Sequence, residues 1–151
     1  MYIVISATQQ GKPAHWAVFI PDNDFIDGKK GKIIHNTGNP ATGFTLEFRR
    51  GADYTNTRKR YMFCTLAQVH SNYIRDVPVT AELNESTARD PLESVATTVP
   101  NIGRSPKPFD HTHPETKNCQ DWIHNYIEAL IAAGYISTAA RDALANMPKF
   151  I

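Results

Sequence analysis

The chain has 151 residues, a formal net charge of +1, 41% hydrophobic residues and 10% aromatic residues. That length and apolar content fit one folded domain with a sizeable core and exclude a disordered chain. Near-neutral charge gives no case for nucleic acid as a partner, and no apolar run reaches the roughly 20 residues of a membrane span, so no integral membrane segment is expected.

Two cysteines, Cys64 and Cys119, make no disulfide framework. With no signal peptide at the N-terminus, a reducing compartment and a cytoplasmic setting are expected. Tyr2 to Ala7 is apolar and β-branched and reads as a first strand, and His15 to Ile20 as a second. Phe25-Ile26 reads as a short extension and Asp27-Gly28 as a turn in the connection that follows. Lys32 to Asn36 reads as a third strand and Phe44 to Arg49, with period-two alternation, as a fourth. A loop over 51–57 leads to an apolar strand spanning Arg60 to Val69. Tyr73-Ile74 and Val77 to Val79 fit either an edge strand or an extended loop. Asp90-Pro91 opens a short helix, with Asp90 as N-cap and Pro91 at the first helical position.

Val99 to Glu115 reads as a long irregular segment, rich in Pro, Gly and His. The best helix follows. Cys119, Trp122, Ile123, Tyr126, Ile127, Leu130 and Ile131 form one apolar stripe, with Asn118 or Thr116 as N-cap and Gly134 as the stop. A last helix is expected over 138–146, capped by Ser137 and packed on its predecessor through Leu130, Ile131, Leu144 and Met147. Strands first and helices last predict a single α+β domain over 1–151, an antiparallel sheet packed against C-terminal helices.

Cys119 therefore sits in the first turn of a helix, where free N–H groups and the dipole favour a thiolate. Taken alone, a cysteine on an apolar stripe is a small core residue. A hairpin joining the second and third strands would place His15 nearly opposite residues 35 to 37, within reach of His35. A cysteine at a helix N-terminus, a histidine on one strand and a polar residue on the next are the parts of an activated thiol.

Three stretches carry a resemblance: His15-Trp16-Ala17-Val18-Phe19-Ile20, Ile33-Ile34-His35, and Asn118-Cys119-Gln120-Asp121-Trp122. Their types and order resemble the permuted papain-like superfamily, which includes the lecithin:retinol acyltransferase-like enzymes and the NlpC/P60 hydrolases. In these the histidine precedes the cysteine. Here Gln120-Asp121-Trp122 stands where that family has Glu-His-Phe.

The resemblance implies a circularly permuted papain-like fold with Cys119 as nucleophile, His15 as general base and His35 as the polar third member. Asn36 and Asp110 are substitutes for that third role. It implies a cysteine-dependent hydrolase or acyltransferase working through a thioester intermediate. The expected substrate is a small ester, amide or thioester, such as an intermediate in a biosynthetic tailoring step, and no cofactor is expected. Asn118, Gln120, Trp16, Asn36, His111 and His113 are the expected substrate contacts, although Trp16 and Trp122 also suit core anchors.

Two other readings stand beside this one: a non-catalytic small-molecule or protein binding module on the same fold, and an (iso)peptidase. Asp110-His111-Thr112-His113 invites a metal, but no second ligand pair follows at metal-binding spacing, so none is expected. Arg49-Arg50 and Arg58-Lys59-Arg60 suit either a solvated face or a contact to phosphate, carboxylate or an anionic headgroup.

Overall fold

Ile3-Val4-Ile5 and Trp16 to Ile20 are apolar without alternation, which suits strands covered on both faces. The computed structural model, which describes residues 1–22 and 29–151, places them at the centre of a six-stranded antiparallel sheet. The strands are β1 (Tyr2–Ser6), β2 (His15–Pro21), β3 (Lys30–Asn39), β4 (Gly43–Asp53), β5 (Tyr61–Thr65) and β6 (Leu83–Glu85), in the order β5-β1-β2-β3-β4-β6. The helices are α1 (Pro91–Thr98), α2 (Cys119–Ala132) and α3 (Ala139–Ala145). The expected extension at Phe25-Ile26 and turn at Asp27-Gly28 lie outside the described residues.

One face carries Ile3, Ile5, Trp16, Val18, Ile20, Ile34 and Phe48, which pack against Leu92 and Ala96 of α1 and the stripe of α2. The other face carries Val4, Ala17, Phe19, Ile33 and Ala52, covered by Tyr2, Tyr54, Tyr61 and Phe63 in place of helices. The fold is thus α+β, with an antiparallel sheet and three helices.

The α2 helix has defined ends. Asn118 caps it by accepting the Gln120 N–H at 2.8 Å, and Asp121 accepts the Asn118 N–H at 2.9 Å, a capping box. At the other end Gly134 takes φ +79°, its N–H bonds the Ile131 carbonyl and the Tyr135 N–H bonds that of Leu130. This is the paired-bond helix stop that favours glycine. Asp90 caps α1 as expected, with Pro91 following.

Three expectations need correction, and one that was open between two readings is resolved. The fourth strand runs to Asp53, into the expected loop, because a bulge at Arg50-Gly51 opposite Lys32 lets it keep pairing with β3. Gly51, at φ +66°, makes that bulge possible. The fifth strand stops at Thr65, because the Leu66 and Ala67 N–H groups turn to the Met1 carbonyl. Of the two readings open for Tyr73-Ile74 and Val77 to Val79, the loop holds: neither joins the sheet, 71–73 form a short 3₁₀ turn, and the edge strand is β6. Ser137 does not cap α3 with its side chain. Its carbonyl accepts the Ala140 N–H, and the residue before the helix is Thr138.

A buried ionic cluster ties α1 to the sheet. Lys32 of β3 bonds Asp90 and, at 2.9 Å, Glu93; Arg50 of β4 bonds Glu85 and makes a two-pronged contact with Glu93 at 2.8 Å. Glu93 also accepts the Arg89 N–H, so every charge in the cluster has a partner.

Candidate active site

The β2–β3 ladder pairs Val18 with Ile34 through Pro21 with Gly31. Extending that register beyond its last pair puts residue 37 opposite His15 and makes His35 its diagonal neighbour on the face away from the helices. His15 Nε2 lies 2.8 Å from His35 Nδ1. On β4, Glu47 is the direct partner of His35, and its Oε1 lies 2.9 Å from His35 Nε2. Arg49 Nη2 donates to the same Glu47 oxygen at 3.2 Å. Three adjacent strands thus contribute one chain of side chains, His15–His35–Glu47.

Charge sets the direction of that chain. Burial pushes the Glu47 carboxyl up, but bonds from His35 and Arg49 outweigh it and hold the group below its ordinary range. An ionised carboxylate only accepts, so His35 Nε2 carries the hydrogen and donates. His35 Nδ1 then accepts from His15 Nε2–H, which leaves His15 Nδ1 with a free lone pair. Burial, with the nearby His35, Arg49 and Lys59 charges, holds His15 down to about 3. Burial also lowers His35. Both rings are therefore neutral at neutral pH.

Cys119, in the first turn of α2, reaches the same region from the helix side. Cys119, His15, Asn118, His111, Phe44 and Thr8 line one cavity of about 380 Å³. The sulfur faces the backbone N–H groups of Trp16, Cys119 and Gln120. Burial nevertheless pushes the thiol up to about 11, because desolvation outweighs those donors. The expectation that the helix N-terminus would favour a thiolate is therefore corrected: the buried thiol is neutral. Among the described residues no hydrogen bond joins Cys119 to His15.

The expected substrate contacts divide. Asn118 and His111 line the cavity, and the long 99–115 segment brings His111 there. That segment is stapled to the β3–β4 hairpin by Phe44 N–H to the Ile102 carbonyl and Ser105 N–H to the Pro40 carbonyl. The structure puts four others to different uses. Trp16 is in the core, its Nε1–H donating to the Pro148 carbonyl. Asn36 is fully buried, bonding Asn101 and the Ile102 N–H, so it holds the segment and does not orient His15. Gln120 spends its amide on the Ala14 and Lys149 carbonyls. His113 accepts the Glu115 N–H and lies off the cavity. Asp110 binds Thr112 and takes no part in the histidine chain.

Glu47 is the functional candidate that sequence reading passed over. Its signal was there: it lies on the outward parity of an alternating strand, opposite His35. Among the described residues no group of three or more His, Cys, Asp or Glu is arranged to hold a metal ion, and no helix is long and apolar enough to cross a membrane. A larger groove of about 1170 Å³ lies between residues 75–78 and α1, but it holds neither cysteine nor histidine.

No curated protein and no solved structure matches the chain. A family profile covers residues 1–137, and on that match the chain belongs to DUF6540, a family of unknown function.

Proposed function

We propose that the protein is a cysteine-dependent acyl hydrolase or acyltransferase, with Cys119 as nucleophile, His15 as base and His35 and Glu47 as the relay behind it. The observation that carries this reading is that Cys119 and His15 open on one cavity while the far nitrogen of His15 is held by His35. His15 Nδ1 is left as the proton acceptor on a ring that lines the same cavity as the thiol. At pH 7 a thiol of pKa about 11 is ionised in only about one molecule in ten thousand. Proton transfer to His15 therefore accompanies attack on the carbonyl carbon.

In the first step the sulfur–carbon bond forms and His15 takes the thiol proton. The imidazolium is stabilised through His35 by the Glu47 carboxylate. In this reading the N–H groups of Cys119 and Trp16, which face the sulfur, would receive the developing oxyanion. The carbon–oxygen, carbon–nitrogen or carbon–sulfur bond to the leaving group then breaks, and His15 returns its proton to that group. Water or a second nucleophile, deprotonated by His15, releases the acyl group from Cys119. A small ester, amide or thioester suits a cavity of this volume. The permuted papain-like arrangement is the fold reading that accompanies this chemistry.

The test is acylation of the intact protein by an activated ester, read by mass. Cys119→Ala and His15→Ala should each abolish the adduct at Cys119. Undiminished labelling in both variants overturns the reading. A second reading, a binding module that keeps the pocket without the chemistry, is favoured by the raised thiol and by the missing bond between Cys119 and His15. It expects no adduct even in the unaltered protein.

A further inference from the structure

His15 borders two cavities. The first holds Cys119; the second, of about 450 Å³, lies on the helix-free face and is lined by His35, Arg49, Tyr54, Lys59 and Glu82 among others. Thr8 and His15 belong to both. The cations of the second cavity are underused. Arg49 Nε is buried and has no hydrogen-bond partner, with Glu82 Oε1 at 3.6 Å. Of the Arg49 guanidinium, only Nη2 is hydrogen-bonded among the described residues. The Lys59 ammonium has no ion-pair partner among them.

The acids nearby are mostly committed elsewhere. Asp53 binds Lys30 at 3.1 Å and the Thr55 N–H at 2.8 Å, and Glu47 binds His35 and Arg49. Among the described residues Glu82, half exposed, is the acid that pairs with Arg49 without a hydrogen bond to it. A buried guanidinium N–H without a hydrogen bond is costly unless a ligand completes it, and a planar fork suits a carboxylate or phosphate. Polar hydroxyls of Ser6, Thr37 and Thr57 line the same space.

We propose that this second cavity binds a carboxylate or phosphate on the half of the substrate that His15 serves, with Arg49 and Lys59 as its specificity residues. That half is the leaving group, which takes the proton from His15 as its bond to the acyl carbon breaks. In transfer it is the acceptor, which gives its proton to His15 as the new bond forms. The inference rests on the acyl chemistry proposed above and adds the substrate class: an acyl donor or acceptor with an anionic end.

The test compares acetyl 4-hydroxybenzoate with acetyl 4-hydroxybenzamide, two aryl esters that differ in the charge of the leaving group. Acylation rates of Cys119 are measured by intact mass. The unaltered protein should prefer the carboxylate ester by about tenfold. Arg49→Gln and Lys59→Ala should each bring the ratio toward one, and Glu82→Gln, which removes the competing acid, should raise it. An equal ratio in all four proteins overturns the inference. If neither ester acylates Cys119, the acyl chemistry fails while the anion site is still decided by calorimetry with 4-hydroxybenzoate and inorganic phosphate. Binding weakened about tenfold by Lys59→Ala and tightened by Glu82→Gln supports the site, and absence of binding overturns it. Phosphate binding without 4-hydroxybenzoate binding, or the reverse, separates the two anion sources.

Discussion

Replacing Glu47 tests whether the strand-borne relay acts on Cys119 through His15. When His15 takes the thiol proton, its positive charge is shared across 2.8 Å to His35 and 2.9 Å to the Glu47 carboxylate. A hydrogen bond to a charged group contributes about 1.5–3 kcal/mol, roughly twice a neutral one. Glu47→Gln keeps an acceptor oxygen and loses the charge. The side chain is 23% exposed, which screens part of the effect. A loss of about 1–1.5 kcal/mol, or about tenfold in the acylation rate constant, is expected. Glu47→Leu also removes the acceptor that fixes the tautomer of both rings, and should cost about a hundredfold. The assay is rapid-quench acylation by an activated ester, read by intact mass, with circular dichroism to confirm folding. The acid limb of the pH–rate profile should also move to lower pH in Glu47→Gln, because the pair then holds a proton less tightly. Rates within twofold of the unaltered protein in both variants would refute the relay.

Two further predictions concern stability. His15 is held down at about 3 in the folded chain and returns to about 6.5 when unfolded, so the unfolded state binds more protons between those values. The stability that comes from burying it neutral is complete above about pH 6.5 and is lost as pH falls toward 3, at up to about 1.4 kcal/mol per unit. Denaturant titrations at pH 7 and pH 5 should show this slope, and His15→Asn should flatten it; a curve equally flat in both proteins contradicts the buried neutral ring. Separately, Glu93→Gln leaves Arg50 and Lys32 short of a carboxylate in a fully buried cluster and should cost about 3–5 kcal/mol, seen as a lower denaturant midpoint. A midpoint unchanged within error would show that the cluster does not hold α1 to the sheet.

The elements that carry strong local signals were legible in the sequence. The stripe from Cys119 to Ile131, the Asn118–Asp121 capping pair and the Gly134 stop specify α2 at both ends. Asp90-Pro91 does the same for the start of α1. The elements that depend on distant partners were not legible. The length of β4 rests on a bulge at Arg50-Gly51 that only the pairing with β3 reveals. The strand β6 has no apolar pattern, since Leu83 and Asn84 are exposed, and it joins β4 through the backbone ladder and the Arg50–Glu85 ion pair.

The site divides in the same way. His15 and His35 came together because a strand register follows from parity, and Glu47 follows from the same parity one strand further on. Lys32, Arg50, Asp90 and Glu93 come from three separate elements and the residue before α1, so no spacing announces their cluster. The direction of the Cys119 shift was misread because a helix N-terminus is visible in sequence while burial of the sulfur is not. Here burial is the larger effect.

The claim at the centre of this account is that His15 is the base for Cys119. Its most direct test is the pH dependence of Cys119 alkylation by iodoacetamide in the unaltered protein and in His15→Ala. With His15 as base, the unaltered protein should already react at neutral pH, its rate levelling once His15 is neutral. His15→Ala should react at least about a hundredfold more slowly at pH 7, with a rate that climbs toward the thiol's own value of about 11. Superimposable profiles, both rising only above pH 9, would contradict the pairing and leave Cys119 as a buried residue of the helix.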